Sequence, residues 1–352
     1  MDYRINGFQH IGVAVSDMDA SLKFYRKYFG LDIPFFDSVA AAPLMQDHTR
    51  GDVITKRASM ILNLAGGCAM EVIRATSFEP VGPKERPEMG DLGIYVTQVK
   101  CPDVEAAYNY CKSQDGLRMS DLRDRFDGSK TFFLHDLDDN IFQYVAGGDW
   151  YTPSKHISGG VVGCTIGVSD MDKAIQLYSD ILGYDKVTLD ETGVHTEWKD
   201  IPGGQRAHRR VVLEQTQPPG GGFAKISARN FIELVQDTER KAERIFKDRI
   251  WADLGFVHLG LDVRGMKSLG EALSKKGFAF RCDSNDALDM GNTKVHCTYI
   301  DDPDETWLEM IEVHKVPIVE KWGIYLNVAK RDPEKPLPDF MLKALRFSRI
   351  KD

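Results

Sequence analysis

The sequence predicts an α+β protein of four βαβββ units, paired into two cupped, barrel-like mixed sheets. Three observations carry that expectation. First, His10-Ile-Gly-Val-Ala-Val-Ser-Asp-Met-Asp19 leads into ASLKFYRKYFGLD, and much later Gly163-Cys-Thr-Ile-Gly-Val-Ser-Asp-Met-Asp172 leads into KAIQLYSDILGYD. A repeat of this length points to a duplicated supersecondary unit. Second, two weaker copies lie between and after these: Asp91–Val96 precedes VEAAYNYCKSQDG, and His258–Val263 precedes MKSLGEALSKKGF. Third, each copy closes on a strand-like run that carries an acid or amide. These are Glu71 in CAMEVIR, Gln143 in NIFQYVA, Glu233 in FIELVQ and Glu309 in WLEMIEV.

The opening run of each of the two stronger copies alternates apolar residues with the period of a strand. SDMD then supplies a helix start, with Ser or Asp as the N-cap. The segments that follow place apolar residues at i, i+3 and i+4, as a one-sided helix requires. Gly30 and Gly183 stand just past these helices, where a left-handed residue closes the last turn. Roughly three strand-like runs complete each unit, and copies two and four share the approach to the last of them, Asp136-Leu-Asp-Asp-Asn140 matching Asp302-Pro-Asp-Glu-Thr306. The units span about 3–75, 88–148, 160–238 and 254–315. The chain is accordingly divided into 1–150 with two units, 151–315 with two units, and a C-terminal extension over 316–352.

Composition narrows the function. With 42% hydrophobic and 28% charged residues the chain reads as an ordinary globular protein. A formal charge of −8, without a long Lys/Arg run, argues against nucleic acid or an anionic membrane as partner. The start lacks the pattern of a signal peptide, and no apolar stretch approaches the length of a spanning helix. Six scattered cysteines without a CxxC pair suit reduced thiols, so a cytoplasmic location is expected.

The arrangement resembles the vicinal-oxygen-chelate superfamily, which includes glyoxalase I, methylmalonyl-CoA epimerase, the extradiol dioxygenases and fosfomycin-resistance proteins. There two βαβββ units form one cup, and side chains from the first and last strands hold a metal. Carried over residue by residue, the resemblance implies His10 and Glu71 for unit one, Asp91 and Gln143 for unit two, Gly163 and Glu233 for unit three, and His258 and Glu309 for unit four. If neighbouring units pair, both cups are incomplete. If the outer units pair, His10, Glu71, His258 and Glu309 form one complete set, and Asp91, Gln143, Gly163 and Glu233 form a vacant one. The outer pairing is favoured, and it implies that neither half of the chain makes the site alone.

Two imidazoles and two carboxylates neutralise a divalent ion and leave two adjacent octahedral positions open. Nickel, cobalt, manganese, iron and zinc all suit this set. Two neighbouring oxygens of a small-molecule substrate could bind there, with the C–H beside a carbonyl acidified. Glu309, and after it Glu71, are the candidate bases. The expected activity is a metal-dependent isomerase, epimerase or related lyase. The alternative is an Fe(II)-dependent ring-cleaving dioxygenase using two histidines and one carboxylate, and a third reading is a non-catalytic binding or resistance protein. His195 and His296 fall in strand-like runs and could line a pocket, while the other histidines and the cysteines read as structural. TQPPGGGF (216–223) lacks the Lys-Ser/Thr of a phosphate loop and reads as a flexible connection. The inserts 37–57 and 74–90 could shape substrate choice. The 316–352 tail could pack as a lid or mediate contacts of a homodimer.

Overall fold

The computed structural model describes residues 2–285, 288–290, 293–319, 324–327, 332 and 335–350. Unit one contains β1 (Arg4–Ala14), α1 (Met18–Phe29), β2 (Ile33–Ala41), β3 (Thr55–Leu62) and β4 (Ala69–Ala75). Unit two contains β5 (Gly93–Cys101), α2 (Val104–Lys112), β6 (Arg123–Asp124), β7 (Lys130–His135) and β8 (Ile141–Ala146). Unit three contains β9 (Val161–Gly167), α3 (Met171–Ile175), β10 (Lys186–Gly193), β11 (His208–Glu214), α4 (Ala224–Ser227) and β12 (Phe231–Asp237). Unit four contains β13 (Gly255–Arg264), α5 (Met266–Ser274), β14 (Leu288–Met290), β15 (Thr293–Asp301) and β16 (Trp307–Val319). β17 (Ile324–Asn327) and α6 (Asp339–Ala344) follow in the C-terminal extension.

The two SDMD segments start helices through their first aspartate. Asp17 accepts the backbone N–H groups of Asp19 and Ala20, and Asp170 accepts that of Lys173. Each satisfies donors that the first helical turn leaves open. Gly30 ends α1 at φ 60°, which a residue with a Cβ adopts at a cost. α3 continues as a π-helical turn over Gln176–Ile181.

Strand order settles how the units pair. One sheet runs β14-β15-β16-β13-β1-β4-β3-β2, with β17 on β16, and the other runs β10-β11-β12-β9-β5-β8-β7-β6. Antiparallel β1–β13 joins units one and four, and antiparallel β5–β9 joins units two and three. Within each unit the first strand runs parallel to the last (β1–β4, β5–β8, β9–β12, β13–β16). These are two curled mixed sheets, with the outer units together in one of them.

A continuous apolar core ties the two sheets, drawing on β1, β4 and β13 from one, β8, β9 and β12 from the other, and all of α1, α2, α3 and α5. Phe29 of α1 meets Phe142 at 4.5 Å, and Phe132 stacks on Tyr144 at 4.4 Å. Two matching polar ties cross between sheets: Tyr25 donates its hydroxyl to Asp136, and Tyr178 donates to Asp302. In the tail, Leu337 and Leu342 pack on Ile33, Leu62, Leu64 and Ile226. Among the described residues no helix is long and apolar enough to cross a membrane.

Candidate metal centre

The site grows from the seam between β1 and β13. His10 is registered opposite Gly260, and Gly12 opposite His258. A Cβ built on Gly260 would lie 2.4 Å from Cε1 of His10, and one on Gly12 would lie 2.3 Å from Cε1 of His258. Each glycine therefore leaves the space that the opposing imidazole fills. A bulge between Phe8 and His10 sets Gln9 out of register, with its Oε1 3.1 Å from Nδ1 of His10. With the Nδ1 proton donated to Gln9, the Nε2 lone pair faces the cup. Trp251 lies nearly parallel to the His258 ring at 6.3 Å, and Tyr299 meets that ring edge-on at 5.6 Å.

The parallel neighbours supply the acids. Glu71 of β4 lies beside Gly12, and Glu309 of β16 beside Gly260. All four side chains are buried, and one ligand atom from each lies within 4.8 Å of the others. Nε2 of His10 is 2.8 Å from Nε2 of His258 and 3.1 Å from Oε2 of Glu309, with Oε2 of Glu71 at 3.7 Å. Nε2 of His258 lies 3.4 Å from each glutamate Oε2. Atoms held about 2.1 Å from one ion stand about 3.0 Å apart in an octahedron and about 3.4 Å apart in a tetrahedron. The spacings match that scale. Oε2 of Glu309 is buried without a hydrogen-bond donor, and a buried carboxylate oxygen needs a positive partner. The donor set therefore fits a divalent ion, and its nitrogen content suits a transition metal better than calcium or magnesium.

The surroundings treat the two glutamates differently. Lys56 Nζ stands 3.0 Å from Oε1 of Glu71. Burial pushes the Glu71 carboxyl up, but Lys56 and the two imidazoles outweigh it and hold it well below the usual range. Oε1 of Glu309 accepts the Cys297 thiol at 3.1 Å. Burial again pushes upward for Glu309, and His258 and His10 bring the net shift below the usual range. Beside Glu309 the Cys297 thiol and Tyr299 hydroxyl are pushed well up, first by burial and then by the carboxylate.

The second set expected from sequence does not assemble as expected. Strand register places Val96, not Asp91, at the position of His258, because Val96 faces Ile141 two residues before Gln143 just as His258 faces Trp307 two residues before Glu309. Asp91 lies outside β5 in the preceding loop, accepting the N–H groups of Glu88 and Glu243 and pairing with Arg240 at 2.6 Å. Nor is that cup vacant. Arg210 fills it, 2.5 Å from both Glu197 and Glu233, while Gln98 donates to Gln143 and Thr165. His195 packs on Trp198, and His296 pairs with Asp283, both away from the four ligands. Sequence reasoning missed Lys56, Cys297, Gln9 and Arg210. An alternation of inward residues along β15 could have pointed to Cys297, but the other three act through partners on other strands or through a bulge.

Residues 7–144 match the family model described as the Glyoxalase/Bleomycin resistance protein/Dioxygenase superfamily. No curated protein sequence matches the chain. Among solved structures, glyoxalase I from Zea mays is similar at 13% identity and a TM-score of 0.54, covering 88% of this chain and 92% of that one. A presumed dioxygenase from Bacillus subtilis is similar at 14% identity and a TM-score of 0.58, covering 99% of this chain and 97% of that one. At these identities the likeness is one of fold.

Proposed function

We propose that this chain, whose residues 7–144 match the Glyoxalase/Bleomycin resistance protein/Dioxygenase superfamily model, is a metal-dependent isomerase, epimerase or related lyase. It would act by proton abstraction beside a carbonyl, with the ion held by His10, Glu71, His258 and Glu309. The observation that carries this reading is the convergence of four buried ligand atoms with Oε2 of Glu309 left unpartnered. When bound, the ion would supply a Lewis acid for neighbouring substrate oxygens and so acidify the C–H beside the carbonyl.

The chain's own residues then divide the work. Lys56 fixes Glu71, so Glu71 serves to hold charge. Cys297 anchors one oxygen of Glu309 and leaves the other for the ion. Loosened from the ion, that second oxygen would take the proton from the substrate carbon and return it to the neighbouring carbon, or to the opposite face of the same one, so nothing is consumed. The six free cysteines support a reducing compartment such as the cytoplasm.

One observation favours a second reading. If Lys56 withdraws Glu71 from the ion, His10, His258 and Glu309 remain as a two-histidine, one-carboxylate triad, the set used by iron oxygenases. One experiment separates the two. Metal-loaded protein is incubated anaerobically in D2O with 2-oxo and 2-hydroxy carbonyl compounds. Deuterium should enter beside the carbonyl, and Glu309→Gln should slow this by about 10²–10⁴-fold, the range of a lost general base. Turnover that requires oxygen and iron, without exchange, would overturn the isomerase reading.

A further inference from the structure

On the strand faces that carry the glutamate ligands, Met60 opposite Glu71 and Ile311 and Val313 beyond Glu309 help wall a cavity of about 110 Å³, with Phe35, Phe36 and Phe223 among others. An apolar cavity of about 150 Å³ takes a benzene ring, so this space suits a body of that order. Among the described residues no lysine or arginine lines it, and the one charged group that does is Asp262, on the same face of β13 as Gly260 and His258, two and four residues further along. At about 3.3 Å per residue, Asp262 stands roughly 7 Å above the level of Gly260.

Asp262 is an unusual group to find there. Burial pushes its carboxyl up to about 7, and a hydrogen bond from the Asn6 amide pulls the other way. Glu312 pushes it further up and Arg264 pulls it down, without an ion pair to Asp262 among the described residues. Beside it, Oδ1 of Asn6 is buried and unpartnered, with Asn6 5% exposed. Asp262 therefore faces one end of the apolar cavity, while Asn6 lines the adjoining smaller one.

The triple glycine at 220–222 roofs these two residues. A Cβ on Gly220 would lie 2.3 Å from Oδ1 of Asn6, and one on Gly221 would lie 2.8 Å from Oδ2 of Asp262. The segment that reads from sequence as a flexible connection is thus the side-chain-free cover over a polar corner. A smaller cavity shares Phe223, Asp262 and Val313 with the first and is lined also by Asn6, Arg264 and Lys335.

We propose that Asp262, held by Asn6, forms the distal end of the substrate site. It would select a compound whose two vicinal oxygens are carried by a ring-sized apolar body bearing a hydroxyl or ammonium donor at its far end. The inference rests on the chelation reading above and adds the substrate class to it. Anionic tails such as carboxylates or phosphates are disfavoured, because the charged group that such a tail meets at the end of the apolar cavity is itself a carboxyl group.

Calorimetric titration of nickel-loaded protein tests this with three catechols that share the chelating end. Dopamine carries an ammonium arm, 4-propylcatechol an apolar one, and 3,4-dihydroxyphenylacetate a carboxylate. Dopamine should bind about tenfold tighter than 4-propylcatechol, the worth of a charge-assisted hydrogen bond, and the carboxylate should bind weakest. Asp262→Asn and Asp262→Ser should each erase dopamine's advantage while leaving 4-propylcatechol within about twofold. Equal affinities in the unsubstituted protein, or an advantage that survives both substitutions, would overturn the inference and leave chelation standing. Failure of all three to bind a protein that holds nickel would overturn the chelation reading and this inference with it.

Discussion

The two cups share one backbone plan and differ in what fills them. In the first, His10 lies over Gly260 and His258 over Gly12. In the second, the matching pairs are Gly163 with Gln98 and Thr165 with Val96, so at each pair the small and large residues are differently distributed across the seam. Glu233 keeps the carboxylate of Glu71, but Arg210 reaches it from β11 and bonds Glu197 with its other arm. Burial works against the Arg210 charge, and the two carboxylates more than restore it. A guanidinium that cannot leave therefore balances the second cup. The first has two buried carboxylates and, with its imidazoles neutral, a single ammonium on Lys56 to offset them. Buried carboxylates need counter-charge; one cup draws it from the chain, and the other has room for it from solution.

The largest expected effect breaks the closed cup. Arg210→Met leaves Glu197 and Glu233 buried without a cation, which costs about 3–5 kcal/mol when one partner of a buried pair is removed. Urea unfolding should report that loss while the metal content of the protein stays unchanged. Unaltered stability would mean that the second cup is wetter than its geometry implies. The next effect sharpens the open cup. Gly260→Ala drives a methyl into the His10 ring, and metal affinity measured by calorimetry should fall by about 100-fold, the upper range for disturbing a ligand's support. Gly163→Ala, its counterpart, would meet Phe231 and Gln98 and should leave metal affinity unchanged. If both substitutions weaken metal binding alike, the division of roles between cups fails.

Much of this was legible because it rests on local pattern. Asp17 and Asp170 cap their helices where the SDMD repeats place them, and Gly30 closes α1 in the left-handed region. His10, Glu71, His258 and Glu309 could be gathered because each sits at a matching place in a repeated unit. The slip at Asp91 has a physical cause. Every residue of β5 is buried, so no alternation marks its faces, and DLGIYV resembles HLGLDV five residues out of register. Alternation fixes register only where one face is exposed. The structure instead makes Asp91 the counterpart of Asp253, since both accept the N–H of the residue three before them. Lys56 was hidden for another reason. It lies four residues from the one opposite Glu71 and reaches it only through a long side chain lying along the strand.

The smallest effect tests the mouths of the cups, where one position carries opposite charges. Lys100 stands opposite Val145 two residues after Gln143, as Asp262 stands opposite Ile311 two residues after Glu309. Gly147 and Gly159 leave a slot for its stem, and its amine donates to the carbonyl of Asp149 and lies 4.4 Å from the Trp150 ring centre. Among the described residues no carboxylate is within ion-pair distance. Burial lowers the amine from 10.5 to about 8. Between those values the unfolded chain holds the proton and the folded chain does not, so this group adds stability as pH rises through the window. Below pH 8 both states are charged and the folded one bears the whole penalty. Lys100→Met should therefore stabilise the protein most at pH 7, by about 1–3 kcal/mol after allowance for solvent screening, and progressively less toward pH 10.5. A difference between the two proteins that stays flat across that range would show the amine to be hydrated, and would remove the contrast with Asp262.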